Sequence, residues 1–252
     1  NVPVIEYAVR EAAEAGVTDI AIVMSPGMES VADYFGNQDV LERELHSRGR
    51  DELLEAQLEI ASLVNVTTVF QHDPKGPGHA IFQAREFCDG EPFVVIFPDD
   101  LIIHDDSATE QLMQVYREHG GSVIAATESP TETLHTKGVI GGSKVSEYVV
   151  AVDQLVEKPA IEDAPSNLTI VARYIIDNAA FDYLAEGHTG AGGEIWLTDA
   201  IASLLGNSAI HARKISGFHA DTGNPGGMLE AAIHVAKQDP DLAEIIKRAL
   251  AD

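Results

Sequence analysis

The sequence is poor in positive charge, in cysteine and in aromatic rings. Its 252 residues carry 16 Lys and Arg against 41 Asp and Glu, a formal net charge of −25 at pH 7. So acidic a surface repels nucleic-acid phosphates and anionic lipid headgroups, which sets aside nucleic acid and membrane as large partners. Any anionic substrate must then be attracted locally, by one of the few cations or by a metal. The one cysteine, Cys88, excludes an internal disulfide and fits a reducing, cytoplasmic setting. No apolar run reaches about 18 residues, so no transmembrane helix is expected. No basic stretch leads into an apolar one, so no secretory signal is visible. There is also no Gly-x-Ser-x-Gly elbow, no His-Glu-x-x-His pair and no Walker loop, which removes several hydrolase and NTPase chemistries.

What is present suits a globular protein. Apolar residues make up 45% of the chain, enough for a substantial core. No internal repeat and no Gly/Ser/Pro-rich linker divides it, so one domain over 1–252 is expected. Apolar residues at helical spacing predict helices at 4–15, 39–63 (weak at Gly49), 78–87 and 108–119. Short apolar runs between them predict strands at 19–24, 66–70, 93–97 and 122–126. Strand–helix alternation with short connections argues for an α/β fold, a mostly parallel sheet covered by helices on both sides. After about residue 130 strands dominate, at 138–141, 149–156, 168–176 and 210–215, with helices at 194–205, 225–237 and 239–250.

Four motifs sit where chemistry gathers. Phe97-Pro98-Asp99-Asp100 ends the most apolar strand, and ligands of open α/β sheets collect at the carboxyl ends of strands. A carboxylate there is either a Mg²⁺ ligand beside a phosphate or a cap for the next segment. Asp221 in His219-Ala220-Asp221-Thr222-Gly223-Asn224-Pro225 is either a second metal ligand or part of an ordinary helix start. The segment from Gln71 to Ala80 runs from strand through a Gly/Pro loop into a helix. Its glycines allow close backbone approach, and Gln71 offers both a donor and an acceptor, as a pyrimidine edge requires. His72 and His79 read as ligands or as solvated and capping residues. Val156-Glu157-Lys158-Pro159 ends another strand; Glu157 can accept sugar hydroxyls and Lys158 can hold a phosphate, or the two form a surface pair leading into a turn. Cys88 and the lone Trp196 read as packing.

Taken in order along the chain, these stretches resemble the bacterial UTP–glucose-1-phosphate uridylyltransferases, within the sugar-1-phosphate nucleotidyltransferases. The resemblance is carried by Pro3-Val4-Ile5-Glu6-Tyr7, Lys75-Gly76-Pro77-Gly78-His79-Ala80, Phe97-Pro98-Asp99, Val156-Glu157-Lys158-Pro159 and Ala164-Pro165-Ser166-Asn167-Leu168. It continues through Arg173-Tyr174, Gly190 to Ala200 and Asp221-Thr222-Gly223-Asn224. It implies a Rossmann-like fold of the nucleotide-diphospho-sugar transferase type, mixed but mostly parallel, flanked by helices. A nucleotide-binding half over about 1–130 and a β-rich sugar-binding half over about 131–252 are expected. By resemblance, Asp99 and Asp221 bind Mg²⁺, and Gln71 and Gly76 read the uracil. Gly138, Glu157, Glu194 and Asp199 belong to the sugar pocket, and Lys158 holds the sugar phosphate.

The family opens with a strand and a Gly-rich loop carrying an Arg, followed by a Lys near a Lys-Glu-Met-Leu-Pro stretch. These grip the triphosphate, and the stretch that matches here begins just downstream of them. Lys137 stands where the family often has a Tyr before the glucose-contacting Gly138. The implied reaction is in-line displacement: a phosphate oxygen of glucose-1-phosphate attacks the α-phosphorus of UTP, giving UDP-glucose and pyrophosphate. A homo-oligomer, dimer or tetramer, is implied too. The alternatives are the same chemistry with dTTP, and a non-catalytic nucleotide-sugar binding protein without a triphosphate loop. A glycosyltransferase would want Asp-x-Asp, whereas Asp99 and Asp100 are adjacent.

Overall fold

The computed structural model describes residues 2–36 and 38–250; Asn1, Asn37, Ala251 and Asp252, part of the 1–252 span expected as one domain, lie outside the described residues. The chain begins with α1 (Val4–Glu14), β1 (Asp19–Met24), α2 (Ser30–Asp33), α3 (Asp39–Ser47), α4 (Asp51–Ser62) and β2 (Asn65–Phe70). It continues through α5 (Pro77–Gln83), α6 (Arg85–Cys88), β3 (Phe93–Ile96), β4 (Asp100–Ile103), α7 (Ala108–His119) and β5 (Ser122–Glu128). Then come β6 (Gly138–Lys144), β7 (Val149–Glu157), β8 (Leu168–Ile176), α8 (Ala180–Glu186) and α9 (Leu197–Ala202). It closes with β9 (Ile210–Lys214), β10 (Phe218–Asp221), α10 (Pro225–Ala236) and α11 (Pro240–Ala249).

Local chemistry accounts for many of these bounds. Ser107 caps α7 by accepting from the Glu110 N–H, and Asn224 caps α10 by accepting from Gly227 ahead of Pro225 in the first turn. The amphipathic stretch expected over 39–63 is two helices, broken at Gly49, whose φ is +62°. Helix 78–87 is likewise two short pieces, and the helix expected over 194–205 begins only at Leu197. Four of these elements were not foreseen: α2, α8, and the strands β4 and β10, which pair antiparallel with each other. β4 and β10 are four residues each, too short for a pattern of period two to stand out.

The main sheet has six strands in the order β3-β8-β5-β9-β7-β6, and β1 pairs with β2 in a separate parallel ribbon. The mostly parallel expectation fails in the main sheet: β5–β9 is parallel, whereas β3–β8, β5–β8, β6–β7, β6–β8 and β7–β9 run antiparallel. An apolar strand announces burial on both faces but carries no record of direction. Here β8 inserts between β3 and β5 and runs against both. The mixed α/β architecture with helices on both faces stands. Val123 and Ala125 of β5 pack with Leu112 and Val115 of α7, while Ile124 and Ala126 face Phe181 of α8 and Ile201 of α9. That split explains why β5 reads as an unbroken apolar run.

Candidate functional site

The candidate residues lie where strands end. Gln71 follows β2, Asp99 follows β3, Lys158 follows β7 and Asp221 closes β10. This is the edge at which a mixed α/β sheet presents loops to a ligand.

The first group is acidic. The Thr222 backbone N–H and hydroxyl both donate to the Asp99 carbonyl, each at 2.7 Å, which ties the loop after β3 to the loop after β10. Gly223 N–H donates to Asp221 Oδ1 at 2.9 Å. A Cβ on Gly223 would lie 3.0 Å from Asp221 Oδ1 and 3.3 Å from Asp99 Oδ2, so the two carboxylates face one small space that the missing side chain leaves open. Burial, and then the charges of Asp100 and Asp221, hold the Asp99 carboxyl above the usual carboxylate range. Among the described residues no cluster of three or more His, Cys, Asp or Glu forms a cage for a metal. Two carboxylates converging on an open space nonetheless fit Mg²⁺, a hard cation that takes one or two protein carboxylates and completes its shell with phosphate oxygens and water.

Asp100, the neighbour, does different work. Its Oδ1 accepts from His219 Nε2 at 2.8 Å and its Oδ2 from the Ala172 N–H at 3.2 Å. Burial works to raise its pKa, but His219, the Ala172 N–H and Arg173 outweigh that and set it below the usual range. Asp100 therefore braces β4 against β10 and β8.

The second group surrounds Glu157. Gly138 pairs with Glu157 across β6 and β7, and a Cβ there would sit 3.1 Å from Glu157 Oε2. The Thr198 hydroxyl donates to the same oxygen at 2.7 Å. Burial first, and the charge of Asp199 as well, raise the Glu157 pKa against the pull of Thr198 and Lys158. Asp199, itself raised by burial, packs against Gly190. Lys158 has φ +46°, a left-handed conformation that costs a non-glycine residue about 1–2 kcal/mol. Its ammonium lies 3.9 Å from the centre of the Trp196 ring. Trp196, expected to be packing alone, is half-buried with this cation on its face. Lys137, in the position before Gly138, turns its ammonium to Ser129 Oγ at 3.1 Å and gives its carbonyl to the Lys158 N–H.

The third group is the loop around Gly76. Ile195 N–H donates to the Lys75 carbonyl and Gly78 N–H to the Ile195 carbonyl, each at 2.8 Å. Gly76 has φ +106°, and a Cβ on it would meet Glu194 Cβ at 2.8 Å, so this position demands glycine twice over. Glu194 thus lies exposed against the Gly76 loop, while Glu157 feels the charge of Asp199. The Gln71 amide nitrogen lies 2.9 Å from His79 Nδ1 and 3.5 Å from the Gly76 carbonyl. His79 is thereby a support for Gln71, and the His72 ring lies tilted beside Phe70, centroids 6.0 Å apart. Tyr174 joins the groups: burial, then the charges of Glu157 and Asp100, push its phenol up. The residues missed by sequence reasoning are Thr198, Thr222, His219 and Arg173. Each acts across more than forty positions of sequence, as with Thr198 and Glu157, so spacing holds no trace of it. Cys88 is half-buried and burial pushes its thiol up to about 11, which suits packing.

Known proteins resemble this chain in sequence and in fold. A UTP–glucose-1-phosphate uridylyltransferase of Staphylococcus epidermidis is 40% identical over 245 residues, 97% of this chain and 85% of the relative. A crystal structure of UDP-glucose pyrophosphorylase complexed with UDP-glucose superposes with a TM-score of 0.84 at 34% identity, covering 94% of this chain and 87% of the other. A UTP-bound UGPase from Acinetobacter baumannii superposes with a TM-score of 0.89 at 29% identity, covering 100% of this chain and 88% of the other. The family model for nucleotidyl transferases matches residues 1–238, and the chain belongs to the nucleotidyl transferase family.

Proposed function

We propose that this chain transfers a uridylyl group from UTP to glucose-1-phosphate, releasing pyrophosphate and UDP-glucose. The reading is carried by the paired carboxylates at Gly223 and the Glu157–Lys158 cluster, both at strand ends and both flanking Tyr174, whose phenol feels the charges of Glu157 and Asp100, in a chain 40% identical to an enzyme named for this reaction. The acceptor phosphate is already an anion, so no general base is needed. The protein must instead hold two anions together and offset the charge that develops. Lys158 carries the cation for the sugar phosphate, aimed by its strained backbone and by Trp196. Glu157 accepts from the sugar hydroxyls, oriented by Thr198. Gln71 presents its amide to the base, and Gly76 lets the base approach the backbone. Asp99 and Asp221 are the residues to hold a divalent cation, which when bound supplies positive charge to the phosphate oxygens.

Among the described residues no helix is long and apolar enough to cross a membrane. A cytoplasmic setting and a homo-oligomer belong to the same reading; the latter is supported by Leu242 and Ile245 of α11, which are exposed. Light scattering on the purified chain measures the oligomer directly. The deciding experiment is pyrophosphate release with Mg²⁺ and glucose-1-phosphate, UTP and dTTP in parallel. Release with UTP well above dTTP is expected. Equal rates would move the base assignment away from Gln71 and Gly76, and dTTP alone would overturn the uridylyl reading.

A further inference from the structure

Arg173 is a fully buried cation, 1% exposed, in a chain with few cations to spare. It lies on β8, opposite Ile96 at the end of β3. Its partner is Glu11 of α1, also buried, with Nε 2.9 Å from Glu11 Oε1 and Nη2 3.0 Å from Oε2. Glu11 is held in turn by the Thr109 N–H at 3.1 Å and the Thr109 hydroxyl at 2.6 Å. The remaining guanidinium donors go to backbone carbonyls. Nη1 donates to Phe97 at 3.0 Å and to Ala172 at 3.1 Å, and Nη2 donates to Asp100 at 2.8 Å.

The two loop carbonyls bracket Asp99. With the Asp99 carbonyl taken by Thr222, the backbone oxygens of residues 97, 99 and 100 are all anchored from neighbouring elements. A buried ion pair is a poor way to stabilise a fold, because desolvation offsets the attraction and apolar replacements often do as well. A planar fork with five donors is, however, well made to fix several acceptors at once in one geometry, and a lysine ammonium cannot reproduce it. We propose that Arg173 is a positioning residue for the transfer reaction, clamping the backbone on both sides of Asp99 so that its carboxylate stays aimed at the space it shares with Asp221. The inference rests on the reading that Asp99 and Asp221 hold the divalent cation.

The test uses Arg173→Lys, with Leu112→Ala as a control. Leu112 is buried in the apolar cluster between α7 and the sheet, on the same helix as Thr109, so its truncation lowers the melting temperature while leaving every polar group of the clamp in place. Mn²⁺ binding to each folded variant, in the presence of UTP, is read by electron paramagnetic resonance, alongside turnover and KM. Arg173→Lys is expected to weaken Mn²⁺ binding and to lower kcat by about ten- to a hundredfold, with KM for glucose-1-phosphate within about threefold. Leu112→Ala is expected to keep both. Normal Mn²⁺ affinity in Arg173→Lys, or equal losses in the two variants, would overturn the proposal. Should Arg173→Lys fail to fold, Glu11→Gln decides: it keeps an acceptor for Nε–H while loosening the fork, and unchanged Mn²⁺ affinity there counts against the clamp. Asp99→Asn separates the two levels. If it abolishes Mn²⁺ binding while Arg173→Lys is normal, the clamp alone is wrong; if it binds normally, the metal reading beneath is wrong.

Discussion

The two ends of the candidate site are built in opposite ways. Around Asp99 and Asp221 the backbone is anchored: Thr222 twice on the Asp99 carbonyl, Arg173 on either side, Asp100 and His219 bracing the strands beneath. Around Lys158 the backbone is held by the Lys137 carbonyl but strained, with a left-handed lysine whose ammonium rests on an aromatic face. Under the proposed function, the contrast follows from the task at each end. Two like charges must be held together before a cation arrives, so the carboxylates need a stiff frame. Under the proposed function, a lysine that is to receive a phosphate gains by resting its ammonium on a ring rather than in an ion pair, since a ring attracts it less strongly than a full negative charge.

This difference sets the order of expected effects. Asp99→Asn removes charge from the rigid end and should lower kcat by about 10²–10⁴-fold with the melting temperature intact; near-normal turnover at saturating Mg²⁺ would remove the metal assignment. Lys158→Met removes the charge-assisted contact at the other end and should reduce kcat/KM for glucose-1-phosphate by about ten- to a hundredfold, with UTP binding little changed. Trp196→Leu takes the platform from under Lys158. A rise of about three- to tenfold in KM for glucose-1-phosphate is expected, and an unchanged KM would show the ring to be packing only.

The smallest effect concerns stability. The Glu157 pKa is raised by burial, so the folded chain binds a proton there more readily than the unfolded one. Its charge therefore costs stability above the raised pKa, the cost lessens as pH falls through that pKa, and it vanishes below the unfolded value. Glu157→Gln should accordingly melt higher than the parent at neutral pH, with the gap closing as pH is lowered, while sugar binding weakens. A gap that widened in acid would reverse the sign and place Glu157 among the stabilising carboxylates.

Much of the candidate site could be read from the chain because its residues lie in local motifs. Asp99 follows a strongly apolar strand, Lys158 another, and Gly76 lies in a Gly/Pro loop before a helix. What escaped are the partners that make those residues usable. Thr198 meets Glu157 because the first turn of α9 packs at the end of β7, and Thr222 meets Asp99 because β10 pairs with β4. His79 was weighed as a ligand, yet its ring sits between the Gln71 and Gln83 amides. Arg173 stood in a matched stretch with no role attached, since a single arginine in an apolar strand says nothing of which carbonyls it will reach.

Composition and periodicity were sufficient for the layers: apolar runs demand burial, helical spacing marks 108–119, 225–237 and 239–250, and the shortage of cations singles out Lys158. Strand direction was beyond them. β8 carries nine largely apolar residues that would sit equally well in either sense, and only its hydrogen-bonded register against β3 and β5 sets it antiparallel. The same holds for the charges. A sequence shows how many carboxylates there are, but whether two of them share one space at Gly223 depends on distances, and electrostatic energy depends on distance and burial.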